Sequence, residues 1–234
     1  VPIGDLMAGM FASVGILAAV KHQVETGKGQ FIDIGMLDTH VAWLANQGMN
    51  YLSTDKNPQR LGNQHPNIVP YQVMPTSDGF IVLSIGNDPT FERFCKLANE
   101  KKLLEDERFK TNASRVSNRE YVTEVLNNVT KKRDSKTWLK ELEEAKIGCG
   151  PINNLSEVFN DPHVLSREMI IEIKHSKTGK KPLKLIANPI KMTETPVSYR
   201  YPPPLLGEHT DEILTQHLKL TIEDIKNLKD KGIV

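Results

Sequence analysis

An apolar stretch lies at the start of the chain, where Leu6 to Val20 carry no formal charge and Asp5 stands directly before them. Ala8, Ala12, Gly15 and Ala19 recur at helical spacing on one face, with Met7, Phe11, Val14 and Ala18 in a bulkier stripe beside it. This pattern predicts a helix from Asp5 to about Val24 with both faces covered. Asp5 is a good N-cap, because its carboxylate can accept from the free amides of the first turn. The stretch "ETGKGQFIDIGMLDTHVAWLANQGMNYL" then predicts a Gly-rich turn, a short strand at Phe31–Ile34 and a second helix over Leu37–Leu52. Helix, strand, helix is the order of an α/β layer, and a lone strand must find sheet neighbours elsewhere.

A polar stretch, "STDKNPQRLGNQHPNIVPY", separates this piece from two extended segments around Ser77-Asp78-Gly79, a hairpin signal. Asp88 and Pro89 open a helix to about Ala98, and further helices fit 112–131 and 135–146, the last opened by Asp134 or Ser135. Strands are expected at 149–152, 169–175 and 182–187, with "SKTGK" turning between the last two. The fold class read from this order is α/β, with 60–187 a compact α+β unit built on an antiparallel sheet. After the Pro-rich "YRYPPPLLGEHTDEIL", helices are expected near 208–218 and 222–231.

Charge changes this picture by exclusion. The chain has 30 Lys and Arg against 29 Asp and Glu, which gives no electrostatic case for nucleic acid or an anionic membrane as main partner. Leu6–Val20 is shorter than the roughly 20 apolar residues that span a bilayer. No basic segment precedes it, and His22, Gln23 and Glu25 follow in place of a cleavage site, so it is read as a buried helix. Cys95 and Cys149 lack paired spacing, which fits a reducing, cytoplasmic setting. The chain opens on Val with no linker-like lead into the first helix, and reads as the later part of something longer.

Candidate chemistry centres on two places. Asp5 reads first as a helix cap, but the roles are compatible: a helix N-terminus keeps a carboxylate ionised and its amides can stabilise an oxyanion formed there. His65 lies in "GNQHPNIVPY", either a tight connection or a substrate-covering loop that carries functional residues. The seven histidines show no ligand pair at metal spacing with a third partner, so no metal is expected. "TGKG" at 26–29 lacks phosphate-loop spacing and is read as a turn. The basic clusters at Lys101-Lys102 and Lys131-Lys132-Arg133 are read as solvated helix faces.

Several stretches together resemble a known family. "GDLMAGMFASVGILAAVKHQVETGKGQFIDIGMLDTHVAWL" is similar to the segment of class III (CaiB/BaiF) CoA-transferases in which a helix begins at the catalytic aspartate and leads through "TGKGQ" into "IDIGMLD". "RLGNQHPNIVPYQVMPTSDGFIVLSIGNDPTFERFC", "CGPINNLSEVFNDPHV" and "PPPLLGEHTDEIL" resemble the family's later landmarks in the same order. "GPINN" and "PPPLLGEHT" are most similar to the succinyl-CoA:dicarboxylate branch, including the glutarate enzymes.

The resemblance implies the C-terminal part of that fold, with 1–59 a segment of a Rossmann-like large domain carrying the aspartate helix, 60–187 the small α+β domain and 188–234 a C-terminal return to the large domain, and it implies nucleophilic catalysis by Asp5. Asp5 would form an aspartyl mixed anhydride and then an aspartyl-CoA thioester, passing CoA from an acyl-CoA to a carboxylic acid without ATP. CoA and acyl-CoA are substrates here, and no permanently bound cofactor is implied. Gly62, Asn63, Gln64 and His65 match the family's glycine-rich loop that folds over the intermediates, with one glycine where some members have several. The resemblance also implies a homodimer, and a separate N-terminal fragment as partner, since members carry about 150 residues or more ahead of the aspartate, with nearly all the CoA contacts. On that expectation 1–234 alone has little transferase activity. Two rival readings remain: an α-methylacyl-CoA racemase of the same fold, and a non-catalytic remnant acting as an interaction module. "DLMAG" and Asp88 in "GNDPTF" depart from the racemase pattern.

Overall fold

The computed structural model describes all residues, Val1–Val234, which form two compact units, Val1–Ile152 and Asn153–Val234. The first opens with three helices, α1 (Ile3–Thr26), α2 (Met36–Ala42) and α3 (Ala45–Thr54). A hairpin follows, β1 (Tyr71–Pro75) and β2 (Phe80–Ser84), and then α4 (Asp88–Leu97), α5 (Glu107–Lys110), α6 (Asn112–Ser117), α7 (Arg119–Thr130), α8 (Ser135–Glu144) and β3 (Gly148–Pro151). The second unit holds α9 (Leu155–Asn160), α10 (Pro162–Ser166), β4 (Ile170–Ile173), β5 (Leu183–Ile186), α11 (Thr210–Leu218) and α12 (Ile222–Asp230).

The first unit folds around the β1–β2–β3 sheet, antiparallel throughout with β2 central, in register Val73↔Val82 and Leu83↔Cys149. Alternation sends Met74, Ile81 and Leu83 into the core. Helices supply the rest at three- and four-residue spacing: Phe91, Phe94 and Cys95 from α4, Val122, Leu126 and Val129 from α7, Trp138 and Leu142 from α8. Aromatic rings stack through this core, Phe91 on Phe109 at 6.1 Å and Phe94 on Trp138 at 5.9 Å between centroids, and the Trp138 indole donates to the Thr130 carbonyl at 2.6 Å. The hairpin, α4 and α8 lie where the sequence pattern predicts them. Their caps are explicit, since Asn87 accepts from the Thr90 amide and Asp134 from the Thr137 amide.

Several expectations are corrected. Phe31–Ile34 forms no strand: Ile32 and Ile34 instead lie over Gly15 of α1. The helix expected over 37–52 breaks after Trp43, and α3 starts again from Ala45 at a left-handed φ of 47°. The helix expected over 112–131 is interrupted at Asn118. The strands of 60–187 make two sheets, not one, and the second is the antiparallel pair β4–β5 in register Ile171↔Leu185. The boundary between the units, at Ile152–Asn153, lies within the stretch expected as one small domain. Residues 155–166 form two short helices that periodicity alone does not show. The first has a capping box between Asn154 and Glu157.

No residue of α1 is buried within this chain, which corrects the reading of a buried helix. Ile3, Leu6, Met10, Phe11, Val14, Leu17 and Val20 are all exposed. The helix is long and apolar enough to cross a membrane. Core helices of soluble proteins meet the same two criteria, so length and apolarity do not choose between them.

Candidate active site

Asp5 is not the cap of α1. The helix begins at Ile3, Pro2 occupies the cap position without a side-chain bond, and the Leu6 amide donates to the Pro2 carbonyl at 3.1 Å. Pro2 has its φ fixed at −75° and no amide of its own to satisfy, so the chain turns into the helix three residues earlier than a cap at Asp5 requires. Asp5 is thus the third helical residue, in the first turn, where the helix dipole favours its charge. Its side chain is exposed, and no hydrogen bond or ion pair engages the carboxylate.

The residue before it decides what stands beside it. A methyl group on Gly4 would overlap Cε1 and Nε2 of the His40 ring, so with glycine at this position the imidazole lies directly against the start of α1. The ring's other nitrogen, Nδ1, lies 2.7 Å from the Met36 carbonyl one helical turn earlier. Sequence reasoning passed over His40, and no spacing rule marks it, because its neighbour Gly4 is 36 positions away.

The loop around Gly62, Asn63, Gln64 and His65 is pinned at nearly every residue. Gly62 supplies a left-handed turn at φ 60°. Asn63 Oδ1 accepts from the Val73 amide at 2.9 Å, and the Arg119 guanidinium donates to the Pro66 carbonyl at 2.6 Å and to Gln64 Oε1 at 3.4 Å. The His65 ring stacks on Tyr71 at 5.3 Å, and its amide donates to the Tyr71 carbonyl at 2.9 Å. His65 Nδ1 accepts from the Asn67 amide at 3.1 Å, and its Nε2 lies 3.3 Å from Asn46 Nδ2. Asn50 and Asn67 exchange reciprocal amide bonds of 2.9 and 3.1 Å, and Asn112 accepts from the Val69 amide while donating to the Asn67 carbonyl.

The turn at Ala45 therefore aims Asn46 and Asn50 of α3 at the loop, and the tight connection describes its geometry better than a loose flap. Asn46 and Asn50 share a helix face at i, i+4, which was the available signal for this contact. No hydrogen bond joins Asp5 to Gly62–His65. Arg119 carries no carboxylate partner, and burial pulls its pKa down.

A groove of about 670 Å³ runs along α2 and α3 between Val41, Leu44, Met49, Leu52 and Pro58, and Asp5 is not among the residues lining it. No three His, Cys, Asp or Glu side chains gather as metal ligands. Asp88, a position weighed against the racemase pattern, is engaged by the buried Arg115 at 2.9 Å.

The model of CoA-transferase family III matches residues 1–210. The chain belongs to CoA-transferase family III. It is 38% identical over 216 residues to the succinate–glutarate CoA-transferase of Agrobacterium fabrum, covering 92% of this chain and 54% of that protein. To the succinyl-CoA:glutarate CoA-transferase of Homo sapiens it is 35% identical over 234 residues, covering 100% of this chain and 53% of the relative. The crystal structure of a CAIB/BAIF family protein from Brucella suis superposes with a TM-score of 0.72 at 36% identity, over 92% of this chain and 55% of that one. The family III chain thus spans about half the length of the curated relatives it matches. Its mixture of helices and antiparallel sheet is the fold of these CaiB/BaiF structures.

Proposed function

We propose that the protein transfers CoA from succinyl-CoA or a similar acyl-CoA to a dicarboxylic acid, with Asp5 as the nucleophile. The observation that carries this reading is the exposed, uncommitted carboxylate of Asp5 in the first turn of α1. It is supported by membership of family III and by relatives named for succinyl-CoA and glutarate.

An Asp5 oxygen attacks the thioester carbonyl, the carbon–sulfur bond breaks, and a mixed anhydride and CoA thiolate result. The thiolate attacks the Asp5 carbonyl of the anhydride and releases the donor acid, leaving an aspartyl-CoA thioester. The acceptor carboxylate attacks that thioester to form a new anhydride, and the returning thiolate takes the acceptor acyl group and frees Asp5. An anhydride keeps the acyl group activated, so no nucleotide is consumed. Free amides at the start of α1 are suited to the oxyanions formed in each step. Gly62–His65 serve the same site as a preorganised loop, held by Arg119, Asn46 and Asn50.

Hydroxylamine added with succinyl-CoA tests this, because it cleaves anhydrides and thioesters and leaves a hydroxamate on Asp5 that peptide mass spectrometry detects. With an N-terminal fragment that completes the CoA site the protein is expected to form it and Asp5→Asn is not, while 1–234 alone is expected to form little. Turnover without any Asp5 adduct would favour proton transfer, as in the racemase reading.

A further inference from the structure

We propose that Arg119 sets the preference for dicarboxylic acids by binding the carboxylate that takes no part in the transfer. This rests on the reading of Gly62–His65 as a loop of the transfer site, and it names the group on that loop that reads the acid. Four arginines of the chain are buried or half-buried: Arg108, Arg115, Arg119 and Arg133. Three of them bond a carboxylate, since Arg108 pairs with Asp106 at 2.6 Å, Arg115 with Asp88 at 2.9 Å, and Arg133 with Glu141. Arg119 pairs with none, and burial acts on its charge with nothing to restore it. A cation drawn out of water without a counter-ion is costly, and an anion from outside the chain removes that cost.

The guanidinium is fixed in place. Nη2 donates to the Pro66 carbonyl at 2.6 Å and Nη1 to Gln64 Oε1 at 3.4 Å, which seats the planar group against the loop. Both partners are neutral, so the positive charge is left uncancelled. Nε and the second hydrogens of Nη1 and Nη2 have no partner in the chain. A seated guanidinium with spare donors in one plane matches the two oxygens of a carboxylate. In a reaction between dicarboxylic acids, each substrate brings one such group that is never activated. A monocarboxylic acid would leave Arg119 half-buried and unpaired, which penalises the wrong acid as well as favouring the right one.

The experiment uses the protein with an N-terminal fragment that completes the CoA site, succinyl-CoA as donor, and glutarate or pentanoate as acceptor. Pentanoate carries a methyl where glutarate has its second carboxylate. Both acids take CoA from the same aspartyl-CoA thioester, so the effect of a variant on the first half-reaction cancels in the ratio of their kcat/KM values. Wild type is expected to favour glutarate. Arg119→Gln, whose side-chain amide can still donate to the Pro66 carbonyl, is expected to lower that preference roughly tenfold or more, chiefly through KM for glutarate. An equal loss with both acids overturns the proposal, because that is what a disturbed loop alone would produce. A wild type with no preference for glutarate overturns it as well. The Asp5 hydroxamate is measured in parallel: its presence beside an unchanged preference in Arg119→Gln overturns the proposal and leaves the Asp5 reading standing. Its absence in wild type is the failure of the Asp5 reading itself, and the proposal falls with it.

Discussion

Arg115 and Asp88 are joined by a 2.9 Å hydrogen bond from guanidinium Nη2 to carboxylate Oδ1, the arginine fully buried and the aspartate half-exposed. The same guanidinium donates from Nε to the Val69 carbonyl at 2.7 Å and from Nη1 to the Phe109 carbonyl at 2.9 Å, and it lies over the Phe91 ring. Burial works against its charge and Asp88 restores it, so one side chain ties the start of α4, the end of α5 and the strand entry together. Arg115→Ala is expected to cost about 3–5 kcal/mol in urea denaturation. Asp88→Asn, which keeps an accepting oxygen in a half-exposed place, is expected to cost about 1 kcal/mol. Equal losses would mean that the ion pair, not the three-way bonding of the guanidinium, carries the effect.

Asn50 of α3 and Asn67 of the loop predict a second measurable coupling. Asn50→Ala removes both amide bonds between them and is expected to cost about 1 kcal/mol. Hydrogen exchange of the amides in 62–68 should quicken in the same variant, while the β1–β2 hairpin keeps its protection. Unchanged exchange in the loop would show that α3 does not hold it.

Thiol reactivity separates the two cysteines. Burial pushes the Cys95 thiol up to about 12, against a smaller opposing pull from Arg115, so almost no thiolate exists at neutral pH. Cys149 is also raised by burial, but it is half-buried at the edge of the sheet. Iodoacetamide on the folded protein should modify Cys149 first and Cys95 only after unfolding, as read by mass spectrometry. Early labelling of Cys95 would contradict the packed core around it.

Acid stability follows from two aspartates. The Ser135 amide, Ser135 Oγ and Thr76 Oγ1 all donate to Asp78, and the Thr137 amide and hydroxyl donate to Asp134, which holds both carboxyls below the ordinary aspartate range. A carboxyl depressed on folding stabilises the fold above its unfolded pKa near 4, and the contribution is lost as pH falls through the folded value. Thermal stability should therefore fall with acid below about pH 4, and Asp78→Asn should flatten that limb. An identical acid limb in the variant would remove Asp78 from the account.

Much of the first unit's fold is legible because its signals are local. Ser77-Asp78-Gly79 between two alternating segments specifies a hairpin, and Phe91, Phe94 and Cys95, or Trp138 and Leu142, specify helix faces whatever they pack against. The family is legible for a similar reason, since its landmarks are contiguous words in a fixed order. Phe31–Ile34 fails as a strand because strand formation needs a partner that no local pattern supplies. Asp5 fails as a cap because Pro2 starts the helix earlier, a choice between two adequate starts that propensity does not rank.

The sequence by itself determined the elements with a period of their own and nominated Asp5 and Gly62–His65 by likeness to family III. Only the tertiary structure decided what surrounds them: His40 against Gly4, Asn46 and Asn50 on the loop, and Arg119 spanning Gln64 and Pro66. Those contacts join residues between 17 and 55 positions apart. Periodicity reports which face of an element is apolar, whereas such contacts depend on how the chain turns at Ala45 and Gly62, where left-handed backbone redirects everything that follows.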